Sequence, residues 1–196
     1  YQARRLELGA AEVNRRLLAA TGISWYFIDT GYRGGELLTP EQMAGVSGQS
    51  AREVVRLEAV AEQLAGTDVS ADGFAVAYAS SLAKAAQGAV GLKSIMAYRF
   101  GLDFDPERPA RRDVTRAAGD WLRRCVEDGQ ARLDDPVLLR HVLWAGVDLG
   151  LPLQFHVGFG DSDIVLHRCD PARMTGFIQA VEPLDTQVML LHCYPY

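Results

Sequence analysis

The sequence has 196 residues, of which 48% are hydrophobic and 23% charged, and its formal net charge is −5. This length and composition are typical of a soluble globular chain with one core, so we expect a single domain over residues 1–196. The mild acidity, without a dense Lys/Arg patch, argues against a nucleic-acid binder. No apolar run approaches the roughly 18 residues that a membrane span needs, so no membrane partner is expected.

The three cysteines, Cys125, Cys169 and Cys193, lack paired spacing, which argues against a disulfide framework and favours a reducing cytoplasm. The chain opens at Tyr1 with neither an initiator Met nor a signal peptide, and it stops soon after an apolar run. We therefore expect a fragment of a longer protein.

Helix and strand signals alternate along the first half of the chain. Residues 3–20 carry a helical stripe that stops at Thr21-Gly22, and 23–28 form a β-branched and aromatic strand that ends at Asp29. Thr39-Pro40-Glu41-Gln42 has the form of a capping box and predicts a short helix. Residues 50–65 are ambiguous: the period is helical, yet 54–58 also fit a short strand that feeds a helix. A helix over 71–87 and a strand over 89–97 follow.

The second half repeats the same alternation. Apolar residues at helical spacing predict a helix over 114–128, which Gly129 stops. Asp135-Pro136 begins a helix over 136–149, and Asp170-Pro171 begins another that ends near Val181. Near-continuous apolar runs over 151–156 and 188–192 are typical of strands buried in a parallel sheet. The pattern predicts an α/β fold with four or five parallel strands.

Five polar residues stand at or near the ends of the predicted strands, one per strand: Asp29, Glu58, Lys93, His156 and His192. The loop after Ile28 matches neither a phosphate-binding loop nor a dinucleotide fingerprint, so an open nucleotide-binding sheet is not favoured. Several strands with polar ends at one shared site are typical of a (β/α)8 TIM barrel. We therefore expect an incomplete barrel, with three strands outside the sequence.

The two histidines are the most informative residues. His156 and His192 each end an apolar strand, 36 residues apart, and they are expected at the same edge of the sheet. Two imidazoles in equivalent positions suggest a metal site or an acid/base pair. The competing interpretation is that each is a buried histidine with a local hydrogen-bond partner.

The sequence resembles the amidohydrolase superfamily, in particular its amidohydrolase-2 branch and the domains fused to glutamine synthetase in nodulin-like proteins. The resemblance rests on Leu-Pro-Leu-Gln-Phe-His-Val-Gly-Phe-Gly-Asp over 151–161, on Met-Leu-Leu-His-Cys-Tyr-Pro over 189–195, and on 91–99 and 22–32. It implies a metal-dependent hydrolase on a (β/α)8 barrel, here about strands 2 to 6, with a divalent metal, zinc foremost. His156 would then be the strand-5 ligand, and His192 the strand-6 ligand or a partner of the substrate oxyanion. The His-x-His of strand 1 is absent from this sequence, and nothing after Tyr196 supplies the Asp of strand 8.

Four more residues are candidates for the site. Lys93 is costly inside a buried strand, and it either carries a catalytic function, as a carboxylated metal-bridging lysine, or pairs with a carboxylate such as Glu58. Alternatively, its ammonium group snorkels to water. Arg99 and Tyr98 could bind a substrate carboxylate, although a surface ion pair would explain Arg99 equally well. Asp161 is a candidate substrate-binding residue in the loop after His156.

The leading hypothesis is a hydrolase of amide or other C–N bonds that acts on a small-molecule substrate by metal-activated water. A decarboxylase or lyase on the same barrel is the second hypothesis, with Arg99 orienting a carboxylate. A non-catalytic ligand-binding domain, fused to a synthetase or regulating it, is the third. Homo-oligomer formation is compatible with each hypothesis, and the isolated 196-residue chain is expected to be inactive.

Overall fold

A computed structural model describes residues 2–158 and 164–196. Its centre is a five-stranded parallel sheet in the order β1-β2-β3-β4-β5, so each strand lies beside its neighbour in the sequence. The strands are β1 (Trp25–Asp29), β2 (Ser50–Arg56), β3 (Gly91–Ser94), β4 (Leu153–His156) and β5 (Val188–Leu191). The predicted α/β class with parallel strands is confirmed. The alternative of a short strand that feeds a helix is also found, but the strand is Ser50–Arg56 instead of 54–58, and residues 57 and 58 already belong to a helix.

Eight α-helices connect and cover the strands of the described part of the chain. They are α1 (Gln2–Ala20), α2 (Pro40–Ser47), α3 (Leu57–Leu64), α4 (Phe74–Ala85), α5 (Met96–Arg99), α6 (Arg111–Asp128), α7 (Pro136–Asp148) and α8 (Thr175–Val181). Within residues 2–158 and 164–196, no helix combines the length and the apolar character that a membrane crossing requires.

Two helix starts follow the predicted capping chemistry. The Thr39 side chain accepts a hydrogen bond from the Gln42 backbone amide, and the Thr39 backbone amide donates one to Oε1 of the Gln42 side chain. At α7 the Asp135 carboxylate accepts from the amides of Val137 and Leu138. Each cap satisfies backbone N–H groups that have no partner inside the helix, so the local sequence sets both helix boundaries.

The prediction of a (β/α)8 TIM barrel is wrong. The five strands form a curled, half-barrel sheet, and in the described residues β1 and β5 each pair with one neighbour only. A barrel requires its first and last strands to pair, with tilt and stagger matched around the ring. The apolar pattern of a strand indicates that both its faces are covered. It does not indicate whether the sheet closes into a barrel.

One face of the sheet packs against helices α3 and α7, on which α4 and α6 pack in turn, and the core lies within these layers. Leu92 on β3 and Phe155 on β4 are fully buried there, as is Trp121 on α6. At Gly146 on α7 a Cβ atom would lie 3.0 Å from a methyl carbon of Leu153, so the absence of a side chain lets the helix approach the sheet closely. Burial of each large apolar side chain contributes about 1.5–3 kcal/mol, which makes this layer the main source of stability.

The opposite face of the sheet is more open. Trp25 and Phe27 on β1 and Met189 on β5 each retain about half of their exposure (52%, 56% and 50%). Side chains alternate along a strand, so Lys93 lies on the face opposite Leu92, and His156 on the face opposite Phe155. The open face thus carries the polar residues at the carboxyl ends of β3 and β4.

Candidate functional site

His156 and His192 lie side by side at the carboxyl edge of the sheet. His156 is the last residue of β4 and pairs in register with Leu191, the last residue of β5, so His192 follows one position further on. Their ring centroids are 4.4 Å apart, and the ring planes are inclined by 57°. The parallel register therefore brings the two imidazoles together across 36 residues of sequence.

Tyr98 joins the two histidines from the neighbouring strand connection. It lies on α5, the short helix that follows β3, and its ring meets the His156 ring edge-on, with centroids 4.3 Å apart. An Arg132 guanidinium N–H donates to the Tyr98 carbonyl oxygen over 3.2 Å, which ties this helix to the loop before α7. The site thus draws on the ends of three adjacent strands.

The backbone at His192 is in an uncommon conformation. His192 and Cys193 both have positive φ angles, 71° and 52°, which are uncommon for residues other than glycine. The segment beyond them passes so close to Gly158 that a Cβ atom there would lie 2.1 Å from the carbonyl oxygen of Tyr194. Such left-handed residues cost about 1–3 kcal/mol each and concentrate at functional sites, so His192 is a functional candidate on backbone grounds too.

A second polar cluster lies at the carboxyl ends of β1, β2 and β3. Asp29 Oδ2 is 2.6 Å from Arg56 Nη2 and 3.0 Å from Lys93 Nζ. The three side chains are 12–15% exposed. Burial by itself would raise the pKa of Asp29, but the hydrogen bonds and charge of Arg56, followed by those of Lys93, outweigh it and hold the pKa below its usual value. Asp29 is therefore an ionised carboxylate shared by two cations.

Glu58 lies deeper, beneath the end of β3. Its side chain is fully buried, and its Oε1 accepts hydrogen bonds from Ser94 Oγ (2.6 Å) and from the Ile95 amide (3.0 Å). Oε2 has no hydrogen-bond partner among the described residues. Burial raises the pKa of the Glu58 carboxyl against the opposing effect of Ser94 and Ile95. Glu58 thus supports the turn that leads from β3 into the helix of Tyr98.

Arg99 is occupied by another acid. Its Nη2 lies 2.9 Å from Glu62 Oε1, and its side chain is 11% exposed. Burial lowers the pKa of Arg99, and the adjacent Glu62 opposes that shift. A substrate carboxylate would have to compete with Glu62 for this guanidinium.

The structure brings three of the sequence-predicted site residues together: His156, His192 and Tyr98. Lys93 lies on the same face but pairs with Asp29, and Glu58 binds Ser94 instead. Asp161 lies outside the described residues.

Sequence reasoning missed Arg56, which ends β2 in register with Lys93 on β3. The sequence does contain a signal for it, a cation at the end of an apolar run. Because residues 50–65 fit both a helix and a strand, the end of β2 could not be located from the sequence.

The histidine pair can be compared with what a zinc site requires. Two neighbouring imidazoles are suitable zinc ligands, but a catalytic zinc usually has three protein ligands. In residues 2–158 and 164–196 no group of three or more His, Cys, Asp or Glu side chains is placed to hold a metal ion. The histidine pair therefore fits two positions of a metal centre, and the described residues do not complete it.

A cavity of about 480 Å³ lies apart from the histidines. Thr30, Leu37, Arg52 and Glu53 line part of it, together with Gln87 beyond α4. Neither imidazole contributes to it, so the candidate site is defined by the histidine pair and the cationic cluster.

Comparison with solved structures gives a strong match. The chain is similar to the crystal structure of a Lactobacillus casei ATCC 334 protein that is provisionally described as a metal-dependent hydrolase, with 31% identity and a TM-score of 0.83. The alignment covers 96% of this chain and 50% of the Lactobacillus chain. This chain therefore has the fold of about half of that protein.

Comparison by sequence gives a partial relative. The chain is 31% identical over 118 residues to Protein fluG of Emericella nidulans. The matched region covers 55% of this chain and 13% of Protein fluG. No family model matches the sequence. The chain therefore resembles the Lactobacillus protein in fold and in sequence and Protein fluG in sequence, and it spans only a part of each.

Proposed function

We propose that the chain is part of a metal-dependent hydrolase of the amidohydrolase superfamily that acts on amide or other C–N bonds of a small-molecule substrate. The observation that carries the proposal is the contact of His156 and His192, at 4.4 Å between ring centroids, at the carboxyl edge of a parallel sheet. Parallel α/β enzymes place their reactive groups at that edge. The similarity to the Lactobacillus protein, at 31% identity over nearly the whole chain, supports the hydrolase class.

In this proposal His156 and His192 supply two ligands to a divalent metal, with zinc as the first candidate because imidazole is among its usual ligands. The remaining ligands would come from residues beyond those described. When bound, such a metal supplies the Lewis acidity that polarises a carbonyl group and activates water.

The residues of this chain have defined tasks around that centre. Tyr98 holds the His156 ring from the edge and fixes its orientation, because the two centroids are 4.3 Å apart. The left-handed backbone at His192 brings the chain back toward β4 and presents the second imidazole. Lys93, on the same face, provides a positive charge near the approach to the histidines.

The test is metal content and hydrolysis by the full-length protein after expression with added zinc. We expect stoichiometric metal, hydrolysis of members of an amide substrate panel, and loss of both on treatment with a chelator. His156→Gln and His192→Gln should each lower kcat/KM by about 100-fold or more, because metal sites are sensitive even to loss of supporting residues. His167→Gln removes an exposed histidine and serves as the control.

Metal-free protein that retains its activity would contradict the proposal. Release of CO2 without amide hydrolysis on the same panel would replace it with a decarboxylase on this scaffold.

A further inference from the structure

The cluster of Asp29, Arg56 and Lys93 holds more positive than negative charge. Among the described residues, Lys93 forms an ion pair with one acid, Asp29. Arg56 binds the same carboxylate through Nε and Nη2. Two cations on one anion leave a net charge of about +1 on three side chains that are mostly shielded from water. Such a site gains from a further anion, because a shielded charge interacts more strongly than one in bulk water.

The cluster is rigidly built. Asp29 Oδ1 also accepts a hydrogen bond from the Gly31 amide over 3.0 Å, and the Arg56 guanidinium lies 5.7 Å from the centroid of the Tyr32 ring. The loop after β1 therefore closes over Arg56 from one side. Asp29 holds both cationic side chains in fixed orientations. Donors that are ordered in advance bind a ligand without a further loss of side-chain conformational entropy.

The position of the cluster relates it to the histidines. Arg56 is in register with Lys93, and Lys93 is in register with Gln154, which lies two residues before His156 on β4. With a strand spacing of about 4.8 Å and a rise of about 3.3 Å per residue, the Cα atoms of Lys93 and His156 lie about 8 Å apart in the sheet. A substrate several bonds long can reach both places.

We propose that Arg56 and Lys93 form a subsite for a carboxylate group of the substrate. The inference rests on the proposed function and narrows it to amide or C–N substrates that carry a carboxylate several bonds from the bond that is cleaved. Asp29 occupies the Nε–Nη2 edge of the Arg56 guanidinium, so a substrate carboxylate would bind at its other edge, between Nη1 and Nη2. Lys93 adds a point charge beside that edge. The sequence alone offered Arg99 for this task, with an ion pair as an equal alternative, and the structure pairs Arg99 with Glu62.

The chain offers a direct probe, because Lys84 and Lys93 are its two lysines. Lys84 is exposed in the last turn of α4 and serves as an internal control. We would label the full chain with 13C-lysine, add EDTA, and titrate it with benzoate at constant ionic strength, with neutral benzamide as the matched ligand control. The Lys93 ε-methylene signal should shift saturably with benzoate, while the Lys84 signal stays still and benzamide has no effect.

Matched arginine variants locate the subsite. Arg56→Gln should weaken benzoate binding at least about fivefold, whereas Arg52→Gln, which removes an exposed cation from the same strand, should change it less than about twofold. Equal weakening by both variants, or parallel drift of both lysine signals, would overturn the proposal. The wild-type lysine signals keep the test decisive if Arg56→Gln fails to fold.

Two further arms separate the interpretations. Inorganic phosphate that binds more tightly than benzoate would overturn the carboxylate assignment in favour of a phosphate subsite. Because EDTA is present, benzoate binding is independent of the proposed metal, and His156→Gln should leave it unchanged. A protein that binds benzoate but no metal would therefore refute the proposed function and leave the carboxylate subsite standing. A protein that binds metal but no benzoate would refute the subsite and leave the proposed function standing.

Discussion

Replacement of Asp29 by Asn tests the idea that one carboxylate holds two cations in place. At 3 Å and an effective dielectric constant of about 20, each ion pair contributes about 5 kcal/mol of Coulomb attraction, most of which the loss of hydration offsets. Asn keeps the size of the side chain, so no cavity forms, but it leaves Arg56 and Lys93 without their shared counter-charge. Breaking a fully buried pair costs about 3–5 kcal/mol. Because these side chains keep 12–15% exposure, we expect a loss of about 3 kcal/mol.

Urea unfolding followed by circular dichroism measures this loss, and a melting experiment should show a fall in Tm of roughly 6–12 °C. Asp120→Asn is the control, because Asp120 pairs with Arg123 while both side chains are more than half exposed, and it should cost less than about 1 kcal/mol. A free energy of unfolding for Asp29→Asn within about 0.5 kcal/mol of that of the control would contradict the stabilisation of Arg56 and Lys93 by one shared carboxylate.

The pH dependence gives an independent check on Asp29. Its folded-state pKa lies below the usual 3.8, so its stabilisation is present above the unfolded pKa and is lost as the pH falls through the folded one. The stability difference between wild type and Asp29→Asn should therefore be constant at neutral pH and close only in acid. A difference that vanishes near pH 6 would contradict this account.

Gly31→Ala should lower the free energy of unfolding in urea by about 1–3 kcal/mol, because the new Cβ would lie 2.5 Å from Arg56 Cβ. Gly34→Ala is the control and should leave that free energy unchanged, because the space around Gly34 is open. Equal effects of the two substitutions would contradict the close approach of Gly31 to Arg56. Glu58 has a raised pKa, so its stabilising effect is complete below the unfolded pKa and is lost as the pH rises through the folded one. Glu58→Gln should thus gain stability relative to wild type as the pH rises above about 4.5, and parallel pH curves would count against this. His192→Gly should keep or raise Tm, since glycine accepts the φ of 71°, while it removes one imidazole; a loss of more than about 1 kcal/mol would show that the backbone there is unstrained.

The histidine pair could be predicted from the sequence for a simple physical reason. An apolar run that ends in a polar residue marks the end of a buried strand, and parallel neighbours align those ends at one edge. His156 and His192 follow this rule, and the register places their rings in contact. Their roles in metal binding stay a prediction, because position alone does not determine a ligand set.

The charge pairing could not be predicted from strand position alone. Pairing with a carboxylate such as Glu58 was one of three alternatives for Lys93. The first turn of α3 instead directs Glu58 into the core beneath Ser94, and Asp29 from β1 reaches Lys93 across the intervening strand. Lateral pairing of this kind depends on the register of three strands. One of them, β2, had an uncertain boundary in the sequence, which also concealed Arg56.

The barrel prediction failed for a related reason. The strand patterns correctly indicated parallel neighbours, but closure depends on the tilt and stagger of every strand and on pairing between the first and the last. The described β1 and β5 do not pair, and Phe27 and Met189 remain about half exposed on the open face. Local sequence patterns contain no information about such an edge-to-edge contact.

The most direct test of the account is whether His156 and His192 bind one metal ion together. The sequence contains four histidines, His141, His156, His167 and His192. In the 15N-histidine-labelled protein, with these four histidines assigned by single His→Gln variants, we expect equimolar Zn²⁺ to shift the ring signals of His156 and His192 together and to leave those of His141 and His167 in place. Shifts of only one of the pair, or equal shifts at all four histidines, would contradict the shared site.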